Sequence, residues 1–304
     1  MRIALIAHPS LGSKVLEAII GQGETVTGVF IPGGDPLKDS PLKTVAQGNN
    51  IPFYEPADMK DSGVLEAMAS GKPELGVLAF VQHIVPMVLL DCPEKGTIMY
   101  HPSLLPRHRG GSAMNWTLIH GDEKTGLTII WPDAGIDTGP ILLQKEIDVL
   151  PDDTVGSLFF DRLYPMGIVA INEAISLVKE GKSPRIPQDE NRATYEPLCR
   201  ENHGIINWAK PAQEVYNLIR GTNPQPGAVT TFKSGKLKIY DCRLDETVTK
   251  AAPGDIVLIN DEGFVVACRE GGILVRQVRP SASGKISAAE FIQNSGLKPG
   301  DRLG

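Results

Sequence analysis

The residues best suited to chemistry in this chain are one histidine and two carboxylates, all on loops that follow apolar runs. Residues 97–121 read Thr-Ile-Met-Tyr-His-Pro-Ser-Leu-Leu-Pro-Arg-His-Arg-Gly-Gly-Ser-Ala-Met-Asn-Trp-Thr-Leu-Ile-His-Gly. A short strand ends at His101, Pro102 and Pro106 restrict the loop after it, and Gly110-Gly111 lets backbone approach a ligand closely. Residues 132–142, Pro-Asp-Ala-Gly-Ile-Asp-Thr-Gly-Pro-Ile-Leu, carry Asp133 and Asp137 in a Gly-rich turn after a second apolar run. A loop carboxylate beside a loop histidine is a recurring acid–base arrangement, because the carboxylate orients the imidazole and stabilises its charged form. The bland readings stand beside these. His101 can simply cap a strand, and Asp133 alone suits an Asx turn.

Placing such loops requires a scaffold whose strand ends converge. Residues 3–7, 26–31, 51–54, 75–80, 98–100 and 128–131 are short apolar runs. Helix-like segments at 15–20, 42–46 and 64–68 alternate with the first of them. Continuous rather than alternating apolar strands predict a parallel sheet covered on both faces, an α/β fold. In such sheets ligands bind beyond the carboxyl ends of the strands, where His101 falls. A helix is expected over Val155–Glu180, capped near Asp153 or Thr154 and ended by Gly181. Residues 181–203 lack periodicity and read as a linker. Beyond a helix at Pro211–Arg220, five short Val- and Ile-rich runs between 228 and 278 read as a small antiparallel barrel. The expected domains are 1–203, linker included, and 204–304.

Composition narrows the function classes. The 304 residues carry 30 Lys and Arg against 36 Asp and Glu, a net charge of −6, which argues against nucleic-acid binding over most of the surface. The four cysteines form no CxxC pair, so a structural zinc site is not expected and a reduced, cytoplasmic thiol set is. No apolar run approaches the ~18 residues of a membrane span, and none resembles a signal peptide. Gly12 completes no GxGxxG, so no dinucleotide fingerprint is present. His8, His83, His120 and His203 read as structural or surface residues.

The runs His101-Pro102-Ser103-Leu104-Leu105-Pro106 with Arg109-Gly110, and Asp133-Ala134-Gly135-Ile136-Asp137-Thr138-Gly139, together resemble the formyltransferases that use 10-formyltetrahydrofolate. Within that superfamily the chain is most similar to the N-terminal hydrolase domain of 10-formyltetrahydrofolate dehydrogenase. Ser112 to Asp122, Leu150 to Val155, Lys182 to Gln188, Ala193 to Glu196 and Ile219-Arg220-Gly221 carry that likeness. Asn223 to Ala228, and in the tail Ile286 to Phe291 with Gly300 to Leu303, resemble methionyl-tRNA formyltransferase as well.

The resemblance implies a Rossmann-like formyltransferase domain with an OB-like C-terminal barrel. It implies 10-formyltetrahydrofolate as co-substrate, no metal, and no membrane partner. It casts His101 as the group that stabilises the oxyanion or shuttles the proton, with Asp137 holding it. It implies a pterin slot along Phe80, Val81, Gln82, Ile84 and Pro86 and along Asp133, Ala134 and Gly135. The loop Ser103, Leu104, Leu105, Pro106 and Arg107 would close over the folate, with Arg107 or Arg109 able to meet an acidic group. One position departs from the pattern. Most of these transferases carry an Asn two residues before the histidine, and here Met99 stands there. Methionine cannot donate to an oxyanion. The dehydrogenase's hydrolase domain is also apolar at this position. The formyl acceptor is left as water, a carrier-protein thiol, methionyl-tRNA or another amine. The charges Asp35, Lys38, Asp39 and Lys43 cancel, making that loop a poor tRNA clamp, whereas Lys233, Lys236, Lys238, Arg243, Lys250, Arg276 and Arg279 keep tRNA open. A non-catalytic folate-binding or nucleic-acid-binding protein is the reading from another class.

Overall fold

In the computed structural model, residues 1–33, 40–233, 235–248, 250–281 and 283–304 are described. The expectation for the 35–43 loop therefore lies mostly outside the described residues. The chain forms two compact units. The first gathers Met1–Gly111, Gly126–Ile147 and Phe160–Tyr195, and the second Ser112–Thr125, Asp148–Phe159 and Glu196–Gly304. Two segments of the expected first domain, 112–125 and 148–159, thus group with the C-terminal residues.

The first unit is built on a seven-stranded sheet: β1 (Arg2–Ala7), β2 (Thr25–Phe30), β3 (Phe53–Tyr54), β4 (Leu75–Ala79), β5 (Thr97–His101), β6 (Lys124–Ile130) and β7 (Ile141–Asp148), in the order β3-β2-β1-β4-β5-β6-β7. Strands β1 to β5 pair in parallel. Alternate residues go to opposite faces. Ile3, Leu5, Ile98 and Tyr100 pack with Leu11, Leu16, Ile171 and Ile175 of the helices Pro9–Gly21 and Tyr164–Lys179. Ala4, Ile6, Leu78 and Met99 belong to the other face, with Met68, Val85 and Leu89. Burial on both faces is why these strands read as unbroken apolar runs.

Three expectations are corrected. β6 runs antiparallel to β5, with Met99 opposite Ile130 and His101 opposite Thr128. Six of its seven residues are buried like those of its parallel neighbours, and burial reports coverage of the faces, not strand direction. β7 had not been expected, because its apolar start Ile141-Leu142-Leu143 merges with the Gly-rich motif, and its later residues alternate in burial as at a sheet edge. The helix expected at 155–180 is three pieces. Val155–Ser157 is a turn capped by Thr154, Leu158–Leu163 is π-helical, and Tyr164–Lys179 is α-helical. Pro165 lacks the N–H that an α-helix would direct at the Asp161 carbonyl, so the regular ladder cannot pass it.

The second unit holds the antiparallel strands β8 (Ala228–Phe232), β9 (Gly235–Asp245), β10 (Ile256–Asn260), β11 (Gly263–Ala267) and β12 (Gly272–Pro280), in the order β10-β11-β12-β9-β8, with β13 (Ile286–Ser287) on β12. Bridges from Leu303 to Phe232 and from Arg302 to Asp255 attach the last residues to segments at both edges. Phe264, Val266, Ile273 and Val275 make its core with Val215 and Ile219 of the helix Ala212–Gly221 and Phe291 of the helix Ala288–Ser295. Among the described residues no helix is long and apolar enough to cross a membrane.

Candidate active site

His101 is the last residue of β5 and is 5% exposed. Its Nε2 lies 2.9 Å from the His108 carbonyl oxygen. A carbonyl only accepts, so Nε2 carries the proton there, and in the neutral ring Nδ1 is the proton acceptor. Nδ1 faces Asp137, whose Oδ2 is 3.6 Å away. The same Oδ2 accepts from the Gly110 N–H at 2.7 Å. Backbone, rather than Asp137, therefore fixes the tautomer of His101, and the carboxylate addresses the other nitrogen.

The loops reach this geometry through uncommon backbone. Phe80, His108 and Asp137 all have left-handed φ, at 59°, 58° and 57°. For non-glycine residues such conformations cost on the order of 1–3 kcal/mol each, and they persist only where the surroundings over-determine them.

Here the surroundings come from residues that sequence reasoning placed in a linker. The Arg109 guanidinium is 1% exposed. It donates from Nε and Nη2 to Gln188 Oε1 (3.1 and 2.8 Å), from both Nη atoms to the Glu190 carboxylate (2.9 and 2.6 Å), and from Nη1 to the Tyr195 hydroxyl. This ion pair holds the Glu190 carboxyl below its ordinary range. Gln188 in turn donates from Nε2 to the carbonyls of Asp137 and Gly139, both at 2.8 Å. Thr194 adds a hydroxyl that accepts from His108 N–H at 2.8 Å and a carbonyl that accepts from Arg109 N–H. Segment 188–195 is thus a strap joining the histidine loop to the aspartate loop. A buried guanidinium needs fixed partners, so Arg109 beside Gly110 was the available signal. Arg109 meets an acidic group, but one supplied by the chain.

The other expected residues sort by burial. Ser103 is fully buried and its hydroxyl donates to the Arg107 carbonyl at 2.7 Å, while Leu105 and Pro106 are buried and Leu104 half-buried. Thr128 and Gln144 hold this loop from β6 and β7, through bonds to the Ser103 and Leu105 backbone. Arg107 is exposed. Asp133 accepts from the Gly135 N–H and the Thr138 hydroxyl, the Asx turn that was its alternative reading. Ala134 and Gly135 are exposed, as is Gln82, whereas Phe80, Val81 and Pro86 are half-buried. Ile84 and Ile136 are 81% and 60% exposed, apolar side chains held in water on the two loops expected to form a slot. Met99 is half-buried against the apolar cluster of Leu78, and by strand alternation it shares a sheet face with His101.

Gln188→Ala is expected to release the aspartate loop. It strips two carbonyls and the Arg109 fork of a partner, a loss of about 1–3 kcal/mol. Hydrogen exchange should speed up across 133–140 while β1 and β4 stay protected. Unchanged exchange would show that the strap does not hold that loop.

Comparison with known proteins gives the family of the chain. Residues 33–164 match the formyl transferase family, and residues 199–296 match its C-terminal domain. The methionyl-tRNA formyltransferase of Trichlorobacter lovleyi is 32% identical over 308 residues, which span 99% of this chain and 96% of that protein. The chain belongs to the formyltransferase family. Mitochondrial 10-formyltetrahydrofolate dehydrogenase of Mus musculus is 38% identical over 304 residues, covering 96% of this chain. The chain spans about a third of that dehydrogenase, 33% of its length. A crystal structure of HypX from Aquifex aeolicus in complex with tetrahydrofolic acid has the same fold. Its TM-score is 0.70 at 18% identity, covering 96% of this chain and 47% of HypX. Both formyltransferase segments occur in one chain, as the two sequence motifs and the C-terminal runs implied.

Proposed function

We propose that this chain uses 10-formyltetrahydrofolate as co-substrate and releases its formyl group, with water or a carrier thiol as acceptor. The observation that carries this reading is Met99, an apolar side chain in the family's donor position, beside the facing pair His101 and Asp137. The formyl-handling residues fall within 1–203, and 204–304 supplies the second sheet. Phe80, Val81, Ile84 and Pro86 with Asp133 to Ile136 form the pterin slot. The water exposure of Ile84 and Ile136 supports this, since a flat aromatic ligand would cover both.

In the hydrolytic reaction a water oxygen bonds to the formyl carbon. Asp137, held by the Gly110 N–H, takes the water proton directly or through His101 Nδ1. The carbon–N10 bond then breaks as that same proton returns through His101 Nδ1 to N10, and tetrahydrofolate leaves with formic acid, which gives its remaining proton to solvent as formate. Without an Asn at position 99, the developing oxyanion has one donor fewer than in most of the family.

A second reading has its own support. Similarity to a methionyl-tRNA formyltransferase runs over nearly the full length of both chains, so methionyl-tRNA is the alternative acceptor. Incubation with 10-formyltetrahydrofolate, with and without charged initiator tRNA, separates the two. Formate and tetrahydrofolate appearing in equal amounts without tRNA is the expected result. Turnover that needs the tRNA would replace hydrolysis by transfer.

A further inference from the structure

Within the second unit lies a cavity of about 140 Å³ that the formyl chemistry does not use. Arg220, Arg243 and Arg276 line it, with Tyr216, Tyr240 and Asp152. Arg220 projects from the helix Ala212–Gly221 and is 8% exposed. Its Nε donates to Asn217 Oδ1 at 3.0 Å. Its Nη1 reaches only the Leu150 and Asp153 carbonyls, both at 3.4 Å, beyond the normal hydrogen-bond range. Among the described residues no carboxylate forms an ion pair with Arg220, and its Nη2 donates to none of them. Burial lowers its pKa, outweighing Tyr216, Asp153 and Asp152 nearby. A buried cation whose donors are this poorly met is costly for the fold alone.

The remaining charges at the cavity point the same way. Arg243 from β9 is exposed, and its side chain makes no hydrogen bond or ion pair with the described residues. Arg276 from β12 meets Asp241 at 3.6 Å. The two acidic side chains in the lining are engaged, Asp152 by the Tyr216 hydroxyl at 2.7 Å and Asp241 by Arg276.

We propose that this cavity binds a small phosphate-class oxyanion, free or as the terminal group of a small molecule. Three guanidiniums from three elements match an anion with oxygens in several directions. A carboxylate would occupy one planar fork and leave the others unmet. The volume lies well below the ~300 Å³ at which drug-sized pockets begin, so the ligand is the oxyanion with at most a short substituent.

The test is calorimetric titration of the full chain with inorganic phosphate, glycerol phosphate and acetate. Saturable phosphate binding, with acetate at least about ten-fold weaker, is expected. Arg220→Gln should weaken phosphate binding about ten-fold or more, the loss of one charge-assisted contact, while His101→Ala leaves it unchanged. Should Arg220→Gln fail to fold, the paired change Arg243→Ala and Arg276→Ala at the cavity mouth decides, with the same loss expected. Glycerol phosphate binding as tightly as phosphate supports a terminal phosphoryl group, and much weaker binding supports the free anion. The proposal is overturned by absence of saturable phosphate binding, by equal affinity for acetate, or by unchanged affinity in the arginine variants that fold.

Discussion

His101→Ala is expected to slow formyl release from 10-formyltetrahydrofolate by about 10²–10⁴-fold, the usual contribution of a positioned acid–base group. The fold should survive. His101 ends β5, its backbone pairs with Thr128 of β6, and the side chain gives up one hydrogen bond to the His108 carbonyl. Asp137 offers a sharper instrument, because it has two duties. Its Oδ2 accepts from the Gly110 N–H, and its charge faces His101 Nδ1. Asp137→Asn keeps an oxygen for Gly110 and tolerates the left-handed φ of 57°, but removes the charge. Asp137→Ala removes both and adds backbone strain. If the charge matters, Asn and Ala should lose kcat/KM about equally, with only Ala losing thermal stability. If the carboxylate is merely a loop clasp, Asn should retain activity and Ala should not. Initial rates of tetrahydrofolate formation and the unfolding midpoint measure the two effects. His101→Ala retaining activity within about three-fold would remove the imidazole from the reaction.

The sequence made the parallel core, the second sheet and the His101 and Asp137 loops legible for one physical reason. Each is signalled locally, by a run of apolar residues or by glycine and proline in a turn. What it hid depends on distant partners. Arg109 looked like a loop cation, and only the fold brings Gln188, Glu190 and Tyr195 around its guanidinium. Those residues have no periodicity because they form a strap whose hydrogen bonds go to loops some 50 to 80 residues away. β6 was legible as a strand but not in its direction, and Pro165 was visible in the sequence without its consequence for the helix around it. Arg220 shows the converse. It lay inside Ile219-Arg220-Gly221, a run noted for resemblance alone, and its meaning appears only once the helix buries it with no carboxylate ion pair among the described residues.

Met99→Asn is the second large effect, and it bears on the acceptor. Strand alternation puts residue 99 on the face of His101, one pleat back from the imidazole, among Leu78 and its apolar neighbours. Under the proposed function, an amide there would supply the donor that the resemblance assigns to this position. Removing one such donor from an enzyme typically costs about 10²–10³ in rate, so installing it should raise formyl transfer to an amine by up to that factor. The gain has an opposing term. Part of the new amide sits against hydrocarbon, and a polar group buried without full hydrogen bonding costs on the order of 1–3 kcal/mol, so a lower unfolding midpoint is expected alongside the faster chemistry. The two readings of the acceptor diverge on this variant. If the chain is built for water, formate release should rise together with amine transfer, because both pass through the same oxyanion. If charged tRNA is the natural acceptor, the wild-type chain has already compensated for Met99 elsewhere in the site, and Asn should leave transfer to tRNA unchanged while costing stability. Single-turnover rates with water, a small amine and charged initiator tRNA distinguish these outcomes. Equal rates for all three acceptors before and after substitution would mean that position 99 does not touch the developing charge at all.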